Sequence, residues 1–539
     1  MLVSLFLGAT VAAAGPTTVA RDISSAVTVS QSAPEDAGAA ILRPFVSFSI
    51  EFASFPDFAG NLSLPNKFSN QLLDNLADLQ GIKPYIRVGG NTQDFALYDP
   101  NLKTGINGTV VPAISTDYPS IVYIGPSFFE SYATWPDTKF SFGFDLAKNG
   151  TEGMNTLLAT APLACKALKD GKLAYWEMGN EPDLYKSSAT DTKRPANWSE
   201  SDYVTEWLSK TRLVKRQIAK ACPEMATDAE YKYLAPSFAG LTNSLDPVTT
   251  WEDGLDADGD IMLNSMHNYI GGATQPGVTL QRTLMNHTST VNSVLQHVKL
   301  AQTLKEDGLA KDIPYILGET NSLYNEGKPG LSNSFGAALW GVDFNLYCAS
   351  QSIRRTHMHQ GTDYRYAAWQ PVQTNKTTLG TKAPYYGNIM VAAMLGGGDS
   401  SSSTNIQVVN LPLTKDTDAA YATYIDGQLA RIAVLNMQEY NTSGSTDSAS
   451  RPTATYSFRV PVSSGAGGSA RSLSVHRLMA NGSDAISGIT WDGWSYNYEL
   501  SGGAPVRLDN ITVGETVPVL ESGIVELKLP YSSGAILNL

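Results

Sequence analysis

Short apolar runs alternate with amphipathic stretches through the first 400 residues, and the texture changes after Gly396. Runs rich in β-branched and aromatic residues start near positions 45, 84, 140, 173, 231, 261, 313 and 352. Each is short and bounded by turn residues, which reads as a buried strand. Between them, apolar residues recur at helical spacing. Phe68, Leu72, Leu73, Leu76 and Leu79 share one face of a helix over 66–80, stopped by Gly81. Val204, Trp207, Leu208, Val214 and Ile218 share a face of another over 201–219, with Ser199 and Asp202 in capping positions. Further helices are expected at 153–169, 290–304, 335–349 and 386–395. Eight strands alternating with helices predict a (β/α)8 (TIM) barrel over 41–396. An open doubly wound sheet is the alternative, but no Gly-x-Gly-x-x-Gly follows an early strand.

From 397 to 539 period-2 strands and turn clusters replace helices, which predicts an all-β sandwich. Asp426-Gly427 between two alternating runs is a hairpin turn. Strands are also expected at 455–462, 472–478, 496–500 and 524–529. Ser/Gly-rich stretches at 441–453 and 463–470 read as loops, and Gly396-Gly397-Gly398 as a linker. A strand from 20–40, around Ala26–Val29, has the composition to join the sandwich. Residues 99–138 are turn-rich and aromatic: either a cleft wall or a hairpin packed on the barrel.

The formal net charge is −13. This argues against a nucleic-acid partner, and it means that any anionic substrate must be recognised locally. Leu2–Val11 followed by Ala12-Ala13-Ala14 reads as a secretory signal peptide over 1–14, although no Lys or Arg precedes the apolar run. No later stretch is long enough to cross a membrane. Nine Asn-x-Ser/Thr sequons, at Asn61, Asn107, Asn149, Asn197, Asn286, Asn375, Asn441, Asn481 and Asn510, fit a secreted chain carrying N-linked glycans. Three cysteines exclude a disulfide-built fold. Cys165 and Cys222 each end an expected helix beside the strand at Leu173 and are the natural pair.

In such a barrel, residues at the carboxyl ends of the strands line the site. Those positions hold Glu51, Asn91, Asn180, Glu181, His267, Tyr269, Glu319, His357 and His359. Glu181 follows the fourth strand in AYWEMGNEPDLY, and Glu319 follows the seventh in ILGET. Each comes after an apolar strand and a glycine (Gly179, Gly318). Two carboxylates facing each other across a cleft suit glycoside hydrolysis, one protonating the leaving oxygen and the other attacking carbon or activating water. Glu177, inside its strand, reads as a buried structural partner. No Cys/His cluster has zinc spacing, and two-carboxylate hydrolysis needs no cofactor.

SFSIEF, YIRVGGNTQD, WEMGNEPDLY and LGETNSLYNEGKPGLSN together resemble glycoside hydrolase family 79 of clan A, whose members include secreted β-glucuronidases and heparanases. The resemblance covers essentially the whole mature chain. It implies a retaining enzyme that removes terminal β-linked glucuronic acid, with or without a 4-O-methyl group, from glycans or glucuronides. It further implies Glu181 as acid/base and Glu319 as nucleophile. Asn180 would bond the sugar 2-hydroxyl, Glu51 would hold hydroxyls near the nonreducing end, and Tyr269 would orient Glu319. Tyr324 and Gly327 lie on the loop that holds the uronate carboxylate in the family. His357 and Tyr364 match a further His/Tyr pair, although His359 and Tyr366 have the same spacing. A clan A β-glycosidase acting on a neutral sugar, and a non-catalytic carbohydrate-binding protein, are the competing expectations.

Overall fold

The eight apolar runs close into a parallel barrel: β1 Val46–Glu51, β2 Ile86–Gly89, β3 Phe140–Phe144, β4 Leu173–Met178, β5 Tyr233–Phe238, β6 Ile261–Gly272, β7 Tyr315–Tyr324 and β8 Thr356–Gln360. β8 pairs with β1 through Thr356 to Gln360 and Val46 to Ile50, which completes the cylinder. The computed structural model describes residues 26–188, 190–397, 404–442, 450–461 and 471–539. The segment 1–14 read as a signal peptide, Gly398 of the linker, and much of the two Ser/Gly-rich stretches lie outside these. Barrel strands are covered on both faces, which is why they read as apolar runs rather than as alternating ones.

Helices α1 Lys67–Gln80, α2 Gly150–Leu168, α3 Glu200–Ala221, α4 His287–Glu306, α5 Phe335–Ser350 and α6 Ala383–Leu395 surround the barrel. Asn66 caps α1 by accepting from the Ser69 N–H, and Ser199 and Asp202 form a reciprocal capping box on α3. α5 is buried on every side because it lies between the barrel and the second sheet system. Cys165 of α2 and Cys222 at the end of α3 form a disulfide, and Cys348 in α5 is a buried free thiol.

The aromatic stretch after β2 does two things. Ala96–Tyr98, Ile106–Thr109 and Ile121–Ile124 form a small three-stranded sheet. Phe128, Tyr132 and Trp135 then pack with Phe55 and Phe140 in the barrel wall, whereas Ile114 and Tyr118 face the cavity described below.

The C-terminal strands β9 Ile406–Leu411, β10 Asp418–Ile425, β11 Gln428–Asn436, β12 Thr453–Arg459, β13 Ser472–Met479, β14 Ile524–Pro530 and β15 Ser533–Asn538 form the sandwich. β15 runs through its middle, between β11 and β13. Val27–Thr28 pairs in parallel with Phe458 and Arg459 of β12, opposite β14. Alternation along β10 explains the layering. Ala420, Ala422 and Tyr424 enter the core between the sheets, while Ala419 and Tyr421 belong to the core shared with the barrel helices. There the Tyr421 hydroxyl donates to Asp343 of α5 at 2.7 Å.

Two expectations need correction. Residues 496–500 do not form a strand: Tyr498–Ser501 is one helical turn, ended by Gly502 at φ 59°. β7 does not stop at Gly318 but runs on to Tyr324, beside a β6 that extends to Gly272. The two strands therefore project together beyond the rim, with a register shift between Met266 and His267.

Candidate active site

Both glutamates follow glycines in crowded surroundings. A Cβ on Gly179, at φ 81°, would lie 2.7 Å from Leu146 Cβ. A Cβ on Gly318 would lie 2.1 Å from Ser265 Oγ inside the barrel. After Gly179 the chain leaves β4 in a sharp turn that holds Glu181 in the left-handed region, at φ 51°. Such a conformation in a non-glycine residue costs about 1–3 kcal/mol and persists only when its surroundings enforce it. Here the Glu181 N–H donates to the Ser237 carbonyl at 3.0 Å, and its Oε1 lies 2.9 Å from His267 Nδ1. Glu319 sits within β7, with ordinary strand backbone. One oxygen of each carboxyl, together with a His267 ring nitrogen, falls within a 4.8 Å group.

Arg87, fully buried on β2, organises the floor. Its Nε and Nη2 bond both oxygens of Glu177 at 2.8 and 3.0 Å. Nη2 also reaches Asn180 Oδ1 at 2.8 Å, and Nη1 reaches Glu319 Oε2 at 2.6 Å and Ser49 Oγ at 2.9 Å. Glu177 additionally accepts from the Ser237 hydroxyl at 2.6 Å. One guanidinium thus spans two carboxylates and fixes the Asn180 amide, whose Nδ2 donates to Asn91 Oδ1 at 3.2 Å. The Tyr269 hydroxyl donates to the other Glu319 oxygen at 2.7 Å.

These surroundings drive the two carboxyls apart. Burial, then the facing Glu319 carboxylate, push Glu181 up to about 8. Burial alone would also raise Glu319, but His359, His267, Arg87 and the Tyr269 hydroxyl outweigh it and hold Glu319 down to about 2. His267, lowered to about 4 by burial, is neutral beside Glu181 at ordinary pH. A protonated carboxyl and an ionised one therefore face each other. Glu181, His267 and Glu319 also form a set of metal-ligating atoms. With Arg87 and Tyr269 already donating to both Glu319 oxygens, the set is built to hold an anion against donors rather than a dication.

The rim carries the remaining polar groups. Glu51 Oε1 accepts from the Thr92 N–H and hydroxyl at 2.8 and 2.5 Å. Its Oε2 accepts from the Tyr364 hydroxyl at 3.0 Å and lies 3.4 Å from His359 Nε2. His359 Nδ1 is 2.8 Å from Ser49 Oγ and 3.5 Å from Glu319. Although burial opposes charge there, Glu319 and Glu51 raise the His359 ring.

The cavity above this floor is about 620 Å³ and is walled by Glu51, Asn180, Glu181, Tyr269, Glu319, Tyr324, His359, Tyr364 and Tyr366 among others. Seven of the nine residues singled out in the sequence therefore meet in one place. The other two do not reach it. His357 lies a layer deeper in the barrel, and His359, two positions on along the same face, takes the rim place. Gly327 lies behind the loop: its N–H donates to the Leu323 carbonyl at 3.0 Å and a Cβ there would meet Ser332, so its amide faces its own chain. Three important residues had no sequence signal strong enough to find. Arg87 lies mid-strand, Asp94 (which accepts from Tyr185 Oη at 2.6 Å and the Asn180 N–H at 3.1 Å) could equally have capped a turn, and Tyr118 comes from the long insertion.

Residues 420–536 match the family model for the glycosyl hydrolase family 79 C-terminal beta domain. A β-glucuronidase of Aspergillus niger is 64% identical over 545 residues, covering 100% of this chain and 99% of that protein. A β-glucuronidase of Neurospora crassa is 52% identical over 505 residues, covering 90% of each. The crystal structure of a 4-O-α-L-rhamnosyl-β-D-glucuronidase from Fusarium oxysporum shares the fold, with a TM-score of 0.74 and 24% identity over 95% of this chain and 100% of that one. A full-length relative at this identity, joined to the matched C-terminal domain and the barrel beneath it, places the chain in glycoside hydrolase family 79.

Proposed function

We propose that this protein is a secreted, retaining β-glucuronidase that removes terminal β-linked glucuronic acid by double displacement. The observation that carries this reading is the carboxyl pair, one oxygen of each lying within 4.8 Å of the other, and the surroundings that raise Glu181 and lower Glu319 support it. Carboxyls this close fall on the side of retaining enzymes, at roughly 5–5.5 Å, rather than of inverting ones, at roughly 6.5–9.5 Å. Glu319 attacks the anomeric carbon while Glu181 gives its proton to the departing glycosidic oxygen. Ester formation removes the negative charge on Glu319, and with it one of the causes that keep Glu181 protonated. Glu181 then takes a proton from the water that attacks the anomeric carbon, and Glu319 leaves as carboxylate.

Arg87 and Tyr269 hold the nucleophile in the cavity wall by one hydrogen bond to each of its oxygens. Asn180, locked by Arg87, is placed to bond the 2-hydroxyl. Glu51, Tyr364 and His359 bind hydroxyls at the rim, and Tyr324 stands on the uronate side. The identities of the Aspergillus and Neurospora relatives support glucuronic acid as the sugar. Secretion and N-glycosylation are supported by the sequons, whose asparagines are all at least partly exposed. No helix among the described residues is long and apolar enough to cross a membrane.

Turnover of an aryl β-glucuronide against the matching aryl β-glucoside tests the reading. The glucuronide is expected to be strongly preferred. A preference for the glucoside rejects the uronidase assignment, and no turnover of any aryl glycoside favours a binding protein.

A further inference from the structure

The cavity that is to hold an anionic sugar is itself lined by carboxyls, and one of them, Glu326, takes no part in the mechanism above. It sits at the centre of three successive left-handed residues after β7: Asn325 at φ 61°, Glu326 at φ 57° and Gly327 at φ 80°. This loop is clamped from outside its own strand. Arg365, from the loop after β8, donates to the Asn325 and Gly327 carbonyls, both at 3.0 Å, and its own N–H donates to the Glu326 carbonyl at 2.8 Å. The same guanidinium binds Asp117 of the aromatic insertion through two bonds, at 2.5 and 3.3 Å. Three separate excursions of the barrel therefore converge on one arginine.

Arg365 favours Asp117 over Glu326, whose carboxylate it meets only at 3.7 Å. The Glu326 carboxyl lies instead against the Asp117 carboxyl, close enough for the two to share a hydrogen bond, and lines the cavity. Two carboxyls can share a hydrogen bond only if one of them carries a proton. Asp117, held by a bidentate cation, is the ionised member, so Glu326 is the neutral donor.

We propose that Glu326 is a specificity residue of the pocket, admitting a uronate while its carboxyl is neutral and repelling the same sugar once it ionises. A neutral Glu326 presents an uncharged oxygen to the cavity. An ionised one would add a fixed negative charge beside the substrate carboxylate, in a site shielded from water. The other ionisable groups facing it act in one direction or the other. Asp117 and Glu51 keep it neutral and Arg365 opposes them, while Tyr118, Tyr364 and Tyr366 stay protonated around it. Lys376 acts on Asp117. Burial and Asp117 push Glu326 up to about 8, in keeping with this arrangement. The inference rests on the uronidase reading.

The test is the inhibition constant of glucuronic acid, with glucose as the uncharged control, measured against pH in the wild type and in Glu326→Gln. The amide keeps the shape and the bond to Asp117 but cannot ionise. In the wild type, binding of glucuronic acid is expected to weaken about tenfold per pH unit once Glu326 ionises, because only the neutral fraction is competent. Glu326→Gln should remove the part of that fall due to Glu326, keep the part due to Glu181, which ionises over the same range, and leave the glucose profile unchanged. Identical glucuronic acid profiles in the two proteins overturn the proposal. Asp117→Asn supplies a second test that does not depend on how well Glu326→Gln folds. Losing the neighbouring charge should move the wild-type fall to lower pH, and no shift or an upward shift counts against the proposal. Absence of any turnover of the aryl glucuronide by the wild type would reject the uronidase reading itself, whereas turnover with an unchanged profile in Glu326→Gln rejects only the role of Glu326.

Discussion

Glu181 and Glu319 each follow an apolar run and a glycine in the sequence, yet they occupy opposite electrostatic settings. Glu319 remains on its strand, where Arg87 and Tyr269 take both its oxygens. Glu181 leaves its strand through a left-handed turn and meets only the neutral ring of His267. The cations and donors that separate them come from other strands: Arg87 from β2, His359 from β8, Tyr269 from β6. Chemical role in this pair is therefore a property of the barrel's closure and not of either strand alone.

The largest expected effect comes from replacing the ionised member. Glu319→Gln should lower kcat on an aryl glucuronide by roughly four orders of magnitude or more, because no covalent intermediate can form. A loss of less than tenfold would place the nucleophile elsewhere. Glu181→Ala should act selectively. Substrates with poor leaving groups should lose roughly 10²–10⁴-fold, the typical share of general acid catalysis, whereas activated aryl substrates should be nearly spared in the glycosylation step. A uniform loss across leaving groups would contradict the acid assignment.

Arg87→Met strikes at the cause of the asymmetry. It strips the cation from two buried carboxylates, and removing one partner of a buried pair typically costs about 3–5 kcal/mol. Denaturant unfolding of the variant should show that loss, and the acid limb of its activity profile should move upward, since Glu319 loses a charge that keeps it ionised. Tyr269→Phe is the gentlest test. It removes a single hydrogen bond to a charged group, worth about 1.5–3 kcal/mol, and should shift the same limb upward by less. In the wild type, kcat/KM should rise through about pH 2 as Glu319 ionises and fall through about pH 8 as Glu181 loses its proton.

The barrel was legible because eight buried strands separated by amphipathic helices leave a strong periodic record, and Glu181 and Glu319 stood out because each follows an apolar run and a glycine. Two kinds of information were not. Registration across strands is not written locally: Arg87 is one charged residue in an apolar run, and His357 and His359 differ only in which barrel layer they reach. Backbone direction in loops is also hidden. The sequence Asn325-Glu326-Gly327 does not say which amide points inward, and only the structure shows that the Gly327 amide bonds its own chain while Glu326 faces the cavity. The central strand β15 went unread because its residues, SGAILN, are too few and too mixed to stand out beside β14.

Carbon-13 titration of the glutamate carboxyls, with Glu181 assigned by substitution, tests the opposed protonation most directly. In the wild type the Glu181 carboxyl should titrate near pH 8, and in Glu319→Gln it should move down towards the ordinary carboxylate range, because the facing negative charge is gone. A Glu181 that titrates in the ordinary range in the wild type, or that does not respond to Glu319→Gln, would contradict the assignment of the two carboxyls.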